Sequence, residues 1–412
     1  MRSLLIDNKR LFTIAINFLI IAIVFDNSRM VLRMPNVLNS MISLLRDCII
    51  FILFAVLLLD RKFSVLPISI LIFITLFPIP IFIYIANVID NNSQTTLTQV
   101  LRGLYWLIRP FLVLYILYNS KNYYTWSKSD SIKIFILACC GMFFFSCFIY
   151  FLFLSIVASM HFENRISLGN PSMIGTLYDA AVILLFRYMP FKTRSKNIFA
   201  LCILCLGCIA TLSATANVIL ILIFAIALAE KRTRAFTMFF LVLILIPLAI
   251  ICIKIGIEKI AVYTNFFMKR ANEVFNTIGK YIFHINEDVG SDSMRGRELQ
   301  ISKMWKTFEF ENFLFGCGDI SGTGGRFSIE NTYFALFTNL GIVGICAYGG
   351  ILFSILKAAV IECFRKKRYA LFQFLFFLGL YGLTLDLINT FSLANVFIIT
   401  AYWLLDKKDI DC

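Results

Sequence analysis

This sequence predicts an all-α fold: a polytopic transmembrane helical bundle of about twelve spans with one large extramembrane loop. Three observations predict it. The 412 residues are 60% hydrophobic and 15% charged, with a mean hydropathy of +0.86. Apolar runs of bilayer length, roughly 20 residues with shorter ones tolerated, recur from end to end. Basic clusters stand between alternate runs. A soluble protein of this size has no need of such a composition. An outer-membrane barrel is excluded, because its strands would alternate apolar and polar residues.

In chain order the apolar segments are Leu11–Phe25, Ser43–Leu59, Ser64–Val88 and Val100–Tyr118, then Ile132–Val157, Met173–Met189, Ile198–Leu212 and Asn217–Ala229. Ala235–Ile255, Thr332–Leu356, Ala370–Ile388 and Ala394–Leu405 complete the set. The seventh and eighth lie close together, so the division between them is open. Leu11–Phe25 lacks a small-residue cleavage site and reads as the first span, not as a cleavable signal peptide. Residues 1–412 are read as a single membrane domain.

Lys9/Arg10, Arg61/Lys62, Lys121/Lys128, Lys192/Arg194/Lys196, Lys231/Arg232/Arg234, Arg365/Lys366/Lys367/Arg368 and Lys407/Lys408 all fall on one side of this map. The positive-inside rule makes that side cytoplasmic, with both termini on it. The formal net charge of +14 is then topogenic, and no nucleic-acid partner is expected. A polar loop, 257–330, separates the ninth and tenth spans on the outer side, the periplasm in a bacterium. A second outer loop, 158–172, holds His161, Arg165, Gly169, Asn170 and Pro171. Most of the cysteines sit inside spans, where thiols act as small hydrophobes. Cys202, Cys205 and Cys208 form a CxxCxxC with no His or carboxylate beside it in sequence, and no metal is expected there. Cys317 is the one cysteine of the large loop, so no disulfide can close within it.

No tandem or inverted repeat is visible, and the large loop has no symmetric counterpart. Both points weigh against a transporter of polysaccharide or lipid-linked sugar. Within the loop, Ile260–Ile282 has helix-like apolar spacing and Arg297–Glu309 reads as a short helix. Gly316, Gly318, Gly322, Gly324 and Gly325 then punctuate a flexible segment.

Three motifs, in order, carry a resemblance. The first is Arg165-Ile-Ser-Leu-Gly-Asn170-Pro171. The second is Gly296-Arg297, then Trp305, then Asn312-Phe-Leu-Phe-Gly316-Cys-Gly318. The third is Glu330-Asn331-Thr-Tyr333 with Asn339-Leu-Gly341-Ile-Val-Gly344. In order, spacing and topology the chain resembles the bacterial O-antigen polymerase and ligase superfamily over most of its length. There are departures. Thr211-Leu-Ser213-Ala-Thr215-Ala lacks the Arg of the Ser-Arg pair that the family often carries there. Trp305 stands further from Arg297 than is usual. Ligases tend to have His where this chain has Glu330, which tilts the resemblance toward a polymerase.

The resemblance implies glycosyl transfer from a polyprenyl-pyrophosphate-linked glycan. That chemistry needs a base for the acceptor hydroxyl, in-line attack at the anomeric carbon, and neutralisation of the leaving pyrophosphate. No Asp-x-Asp stands in either outer loop to hold a divalent metal. Arginine can replace the metal, because its planar fork suits phosphate oxygens and never deprotonates. Arg297 is the first candidate for that role and Arg295 the second; the plainer reading is a pair of solvated loop arginines. Arg165 is either a phosphate ligand or an interfacial charge drawn to lipid headgroups. Arg102 and Arg109 lie seven residues apart, on one face of the fourth span. Charge within a bilayer is costly and is usually functional or paired. They read as pyrophosphate ligands or as members of structural ion pairs, with Asp179 a possible partner for Arg109.

Glu330 is the candidate general base. A carboxylate partly withdrawn from water at the mouth of a span is a better proton acceptor. Its plainer reading is an acidic residue favoured by the helix dipole. Asn331 is placed to orient it or to bind sugar, and Trp305 and Tyr333 to stack on sugar faces or simply to pack. His161 and His284 are rival bases.

The expected function is an O-antigen polymerase of lipopolysaccharide biosynthesis in the bacterial inner membrane. It would act at the periplasmic face on undecaprenyl-pyrophosphate-linked oligosaccharide. Inversion, independence from metal and the absence of any cofactor follow from the same resemblance, and a chain-length regulator protein is a further partner it implies. The alternative within the superfamily is a ligase that transfers finished glycan to lipid A-core. The topology is open to direct test. Maleimide added from the periplasm is expected to label a cysteine placed at Ser321 and to leave one at Lys366 untouched. The opposite pattern would invert the map.

Overall fold

The computed structural model describes residues 2–26, 36–59, 109, 112–120, 128–152, 170–211, 213–230, 312–315, 331–385, 387 and 391–405. Among these residues the regular structure is all helical, with no strand. The helices are α1 (Arg2–Phe25), α2 (Asn36–Leu59), α3 (Lys128–Leu152), α4 (Pro171–Tyr188) and α5 (Arg194–Ala210). They continue with α6 (Ala214–Ala229), the single turn α7 (Asn312–Phe315), α8 (Thr332–Lys366), α9 (Ala370–Thr384) and α10 (Phe391–Leu405). Residues 112–120 are also helical. Among the described residues, two stretches are long and apolar enough to cross a bilayer unaided, Lys128–Ile149 and Gly341–Lys366. Segments Ser64–Val88 and Ala235–Ile255, and the loop elements Ile260–Ile282 and Arg297–Glu309, lie outside the described residues.

Helix ends have local causes. α4 begins at Pro171, whose missing N–H costs nothing at a first helical position. Asn170 caps it, its side-chain oxygen accepting from Ser172 N–H at 3.0 Å. It stops at Met189, which turns left-handed at φ 42° before Pro190. The seventh and eighth apolar segments are two helices. Thr211 Oγ1 donates to Cys208 O at 2.7 Å and accepts from Ser213 N–H at 3.2 Å, closing α5. Ser213 then caps α6, accepting from Ala216 N–H at 3.4 Å.

Several expected boundaries move, with α1 starting at Arg2 and α2 at Asn36, ahead of Leu11 and Ser43. α8 runs past Leu356 to Lys366, because no breaker follows, and ends on Lys367 at φ 49°. α9 ends at Thr384, short of Ile388, where Leu385 turns extended. α8 is also broken within: Gly341 adopts φ 62°, ψ −156°. That left-handed value suits glycine.

α4 is the centre. Every residue from Ile174 to Arg187 is buried, and α3, α5, α6, α9 and α10 all pack against it. A helix covered on all faces belongs inside a bundle. Small residues let neighbours approach, as is common between membrane helices. A Cβ added at Gly175 would stand 2.4 Å from the Ala216 Cβ of α6. One added at Gly207 of α5 would stand 2.9 Å from the Tyr178 ring of α4.

The C-terminal end of α4 is tied by polar contacts. Arg187 Nη2 donates to Glu362 Oε1 of α8 at 2.8 Å, with both side chains buried. The Tyr188 hydroxyl donates to the Trp403 carbonyl of α10, and Trp403 packs edge-on against Phe135 of α3. The α4–α6 contact makes a direct prediction. Gly175→Val must push the helices apart, an overpacking cost of roughly 1–3 kcal/mol, and should lower the melting temperature in detergent. Gly379→Ala, where an added Cβ meets nothing within 4 Å, should leave it unchanged or slightly raised. Equal melting of the two variants would contradict the packing.

Candidate functional site

One end of the bundle gathers the N-termini of α4, α6 and α8 and the C-terminus of α9. Ser172 Oγ of α4 and Ser213 Oγ of α6 share a hydrogen bond at 3.1 Å. The start of α8 is bound to α9 by consecutive side chains. Asn331 Oδ1 accepts from Tyr333 N–H at 3.0 Å and Phe334 N–H at 3.2 Å, capping α8. Its Nδ2 donates to Leu383 O of α9 at 3.0 Å. Thr332 Oγ1 donates to Leu385 O at 2.7 Å and accepts from Leu387 N–H at 3.0 Å. The Tyr333 hydroxyl donates to Gly379 O at 3.4 Å. The last carbonyls of a helix have no partner within it, and here the first residues of α8 supply partners at the end of α9.

α9 is fixed in turn to α4. The Tyr381 hydroxyl donates to Asp179 Oδ2 at 2.7 Å. Cys208 Sγ of α5 donates to Asp179 Oδ1 at 3.6 Å. Asp179 is fully buried, so a carboxyl at the middle of the bundle is met by neutral donors. The turn α7 touches this end too: it packs against α8, with the Phe313 and Phe337 rings edge-to-face at 5.7 Å.

The residues singled out from sequence divide clearly. Glu330, Arg297, Arg295, Arg165, Arg102 and Trp305, with the rivals His161 and His284, lie outside the described residues. Asn331 and Tyr333 stand at the α8–α9 junction, and both direct their polar atoms to backbone. Tyr333 also packs edge-on against Tyr348 at 5.8 Å and lies over Gly382. Its ring is thus packed within the bundle. Arg109 is the correction. It does not pair with Asp179, whose partners are Tyr381 and Cys208. Arg109 Nη1 stands 3.6 Å from Asp47 Oδ1 of α2. Asp47 also accepts from Arg46 Nε at 3.0 Å, and Arg46 Nη1 donates to Asp26 beyond α1.

Sequence reasoning missed this four-charge network, the Arg187–Glu362 pair and Thr332. Arg46 and Asp47 interrupt an apolar helix, and that signal alone marks them as paired. Thr332 carried no such signal. The thiols of the CxxCxxC helix act singly, Cys208 toward Asp179, and among the described residues no cluster of His, Cys, Asp and Glu can hold a metal ion.

The Arg109–Asp47 pair predicts coupling. Arg109→Gln and Asp47→Asn should each lower the melting temperature, since each leaves a buried or half-buried charge short of a partner. The double variant should melt above the sum of the two losses. Strict additivity would show that the pair contributes nothing.

No curated protein matches this chain. Residues 199–349 match the family described as O-antigen ligase. The matched segment runs from α5 through the Ser213 cap and α7 to the Asn331-Thr332-Tyr333 junction and beyond the Gly341 break. Over that segment the chain is similar to the O-antigen ligase family, in support of the wider ligase and polymerase superfamily that its motifs resemble.

Proposed function

We propose that this protein is an inner-membrane O-antigen polymerase. It transfers a growing glycan from undecaprenyl pyrophosphate to the non-reducing-end sugar of a lipid-linked repeat, at the periplasmic face. The observation that carries the reading is the junction that follows Glu330. The chain leaves Glu330 by one peptide bond and enters a helix start held by Asn331, Thr332 and Tyr333. A proton acceptor needs that kind of fixed mounting.

In this reading Glu330 takes the proton of the acceptor hydroxyl as its oxygen attacks the anomeric carbon with inversion. The bond to the pyrophosphate oxygen breaks, and Arg297, with Arg295, receives the developing charge. Arg165 and Arg102 supply further positive charge to the pyrophosphate, and Trp305 stacks on sugar. The nearby helix N-termini give a reason for arginines. Asn170, Ser213 and Asn331 already occupy N–H groups at the starts of α4, α6 and α8. Arg109 is better read as a tie to α2 than as a phosphate ligand. The family description favours one other reading, a ligase delivering glycan to lipid A-core; Glu at position 330 favours the polymerase.

Deletion of the gene separates the two. A polymerase deletion is expected to leave lipid A-core bearing one repeat on gels of surface polysaccharide; bare core would identify a ligase. Complementation then tests the mechanism. Glu330→Gln keeps size and removes the proton acceptor, so the long-chain ladder should collapse at normal protein level. General-base assistance is worth roughly 10²–10⁴-fold. Arg297→Lys should be nearly as damaging as Arg297→Ala, because Lys keeps charge and loses the bidentate fork. Purified protein should polymerise lipid-linked repeats in EDTA. Wild-type ladders from Glu330→Gln would remove Glu330 from the chemistry.

A further inference from the structure

Asn331 and Tyr333 reach α9 and Thr332 the residues just past its end, and of these Thr332 stands apart. Its side chain is fully buried, and its one hydroxyl both donates, to Leu385 O at 2.7 Å, and accepts, from Leu387 N–H at 3.0 Å. It clasps the chain immediately past the end of α9, where Leu385 turns extended. A β-branched side chain has few rotamers, so the two bonds fix the Thr332 backbone as well as its hydroxyl. The clasped end of α9 is itself anchored four residues earlier, where Tyr381 donates to Asp179 at the centre of the bundle. A continuous frame therefore runs from α4 through α9 to the first residue of α8.

We propose that Thr332 is the positioning residue for Glu330, two places before it, and that the Asp179–Tyr381 bond is the anchor of the same frame. The inference rests on the reading of Glu330 as the base. Thr332 does not touch the reacting atoms. It sets the direction in which the chain enters α8, and so where the carboxylate stands relative to the acceptor hydroxyl. A displacement of a catalytic group by about 1 Å can cost on the order of 10²-fold in rate. Substrate affinity is left alone, because the pyrophosphate is held elsewhere.

The test uses full-length protein in lipid nanodiscs, with lipid-linked repeats extracted from a strain in which this gene is deleted. Thr332→Val keeps the shape and loses both hydrogen bonds; Thr332→Ser keeps them. The expected result for Val is a fall in kcat of roughly ten- to a hundredfold, with KM for the lipid-linked repeat unchanged. Serine should restore most of the rate. On a Glu330→Gln background, Thr332→Val should cause no further loss, because the group it positions is gone. A purely structural role predicts a different result: loss shared between kcat and KM, and multiplication of the two effects. Either outcome overturns the proposal, as does parental kcat in Thr332→Val.

If the valine protein does not fold, Tyr381→Phe carries the same test at the next link. It removes one hydroxyl, keeps the ring, and should lower kcat alone, again without effect on the Glu330→Gln background. Failure of the underlying reading looks different. Glu330→Gln would itself keep parental kcat, and the positioning role would fall with it.

Discussion

A carboxyl group sits at the middle of the most enclosed helix in this protein, and the hydrogen bond from Tyr381 to Asp179 is the constraint on which the surrounding packing depends. Hydrocarbon offers a buried polar group nothing, so its partners must come from neighbouring helices. Tyr381 can reach Asp179 because Gly175, one turn earlier on α4, leaves the space a side chain would fill: a Cβ there would stand 3.2 Å from the Tyr381 hydroxyl oxygen. The same glycine admits Ala216 of α6. One polar contact and one missing side chain thereby set the spacing of α4, α6 and α9 together.

From that joint the order passes outward. α9 is held at Tyr381, its end receives Asn331 and Thr332, and α8 begins where they hold it. Each helix start in this region carries its own Asn or Ser cap, which satisfies backbone donors locally. Under the proposed function the division of labour is then simple. The described helices provide a rigid rim, and the arginines and the carboxylate of the adjoining loops provide the charge.

The described helices stand at apolar runs that were legible in the sequence, since those runs follow from hydrophobicity. The start of α4 was read two residues late, at Met173 and not Pro171, because Asn170-Pro171 was read as part of the loop. The extension of α8 to Lys366 was not legible, because the basic run there reads as a loop while nothing in it stops a helix. Partner choice was the weaker part. Asp179 and Arg109 are both buried charges in apolar helices, and opposite sign alone invited their pairing. Distance between helices decides such questions, and one sequence does not contain it. Asn331 and Tyr333 were singled out by motif, but Thr332, between them, was passed over. A threonine at a helix start has many ordinary uses, and its two bonds to the chain just past α9 join residues more than fifty positions apart.

The break at Gly341 bears on bilayer thickness. α8 has 35 residues, and at a rise of about 1.5 Å each it would measure roughly 52 Å if straight. A hydrocarbon core is about 30 Å thick. The 26 residues from Gly341 to Lys366 reach about 39 Å by the same rise, enough to cross with some tilt. The stretch from Thr332 to Leu340 is thus surplus to crossing, and the glycine frees it from the direction of the span. A short rod of this kind can lie at an angle to the membrane normal, bringing its capped end toward the headgroup layer.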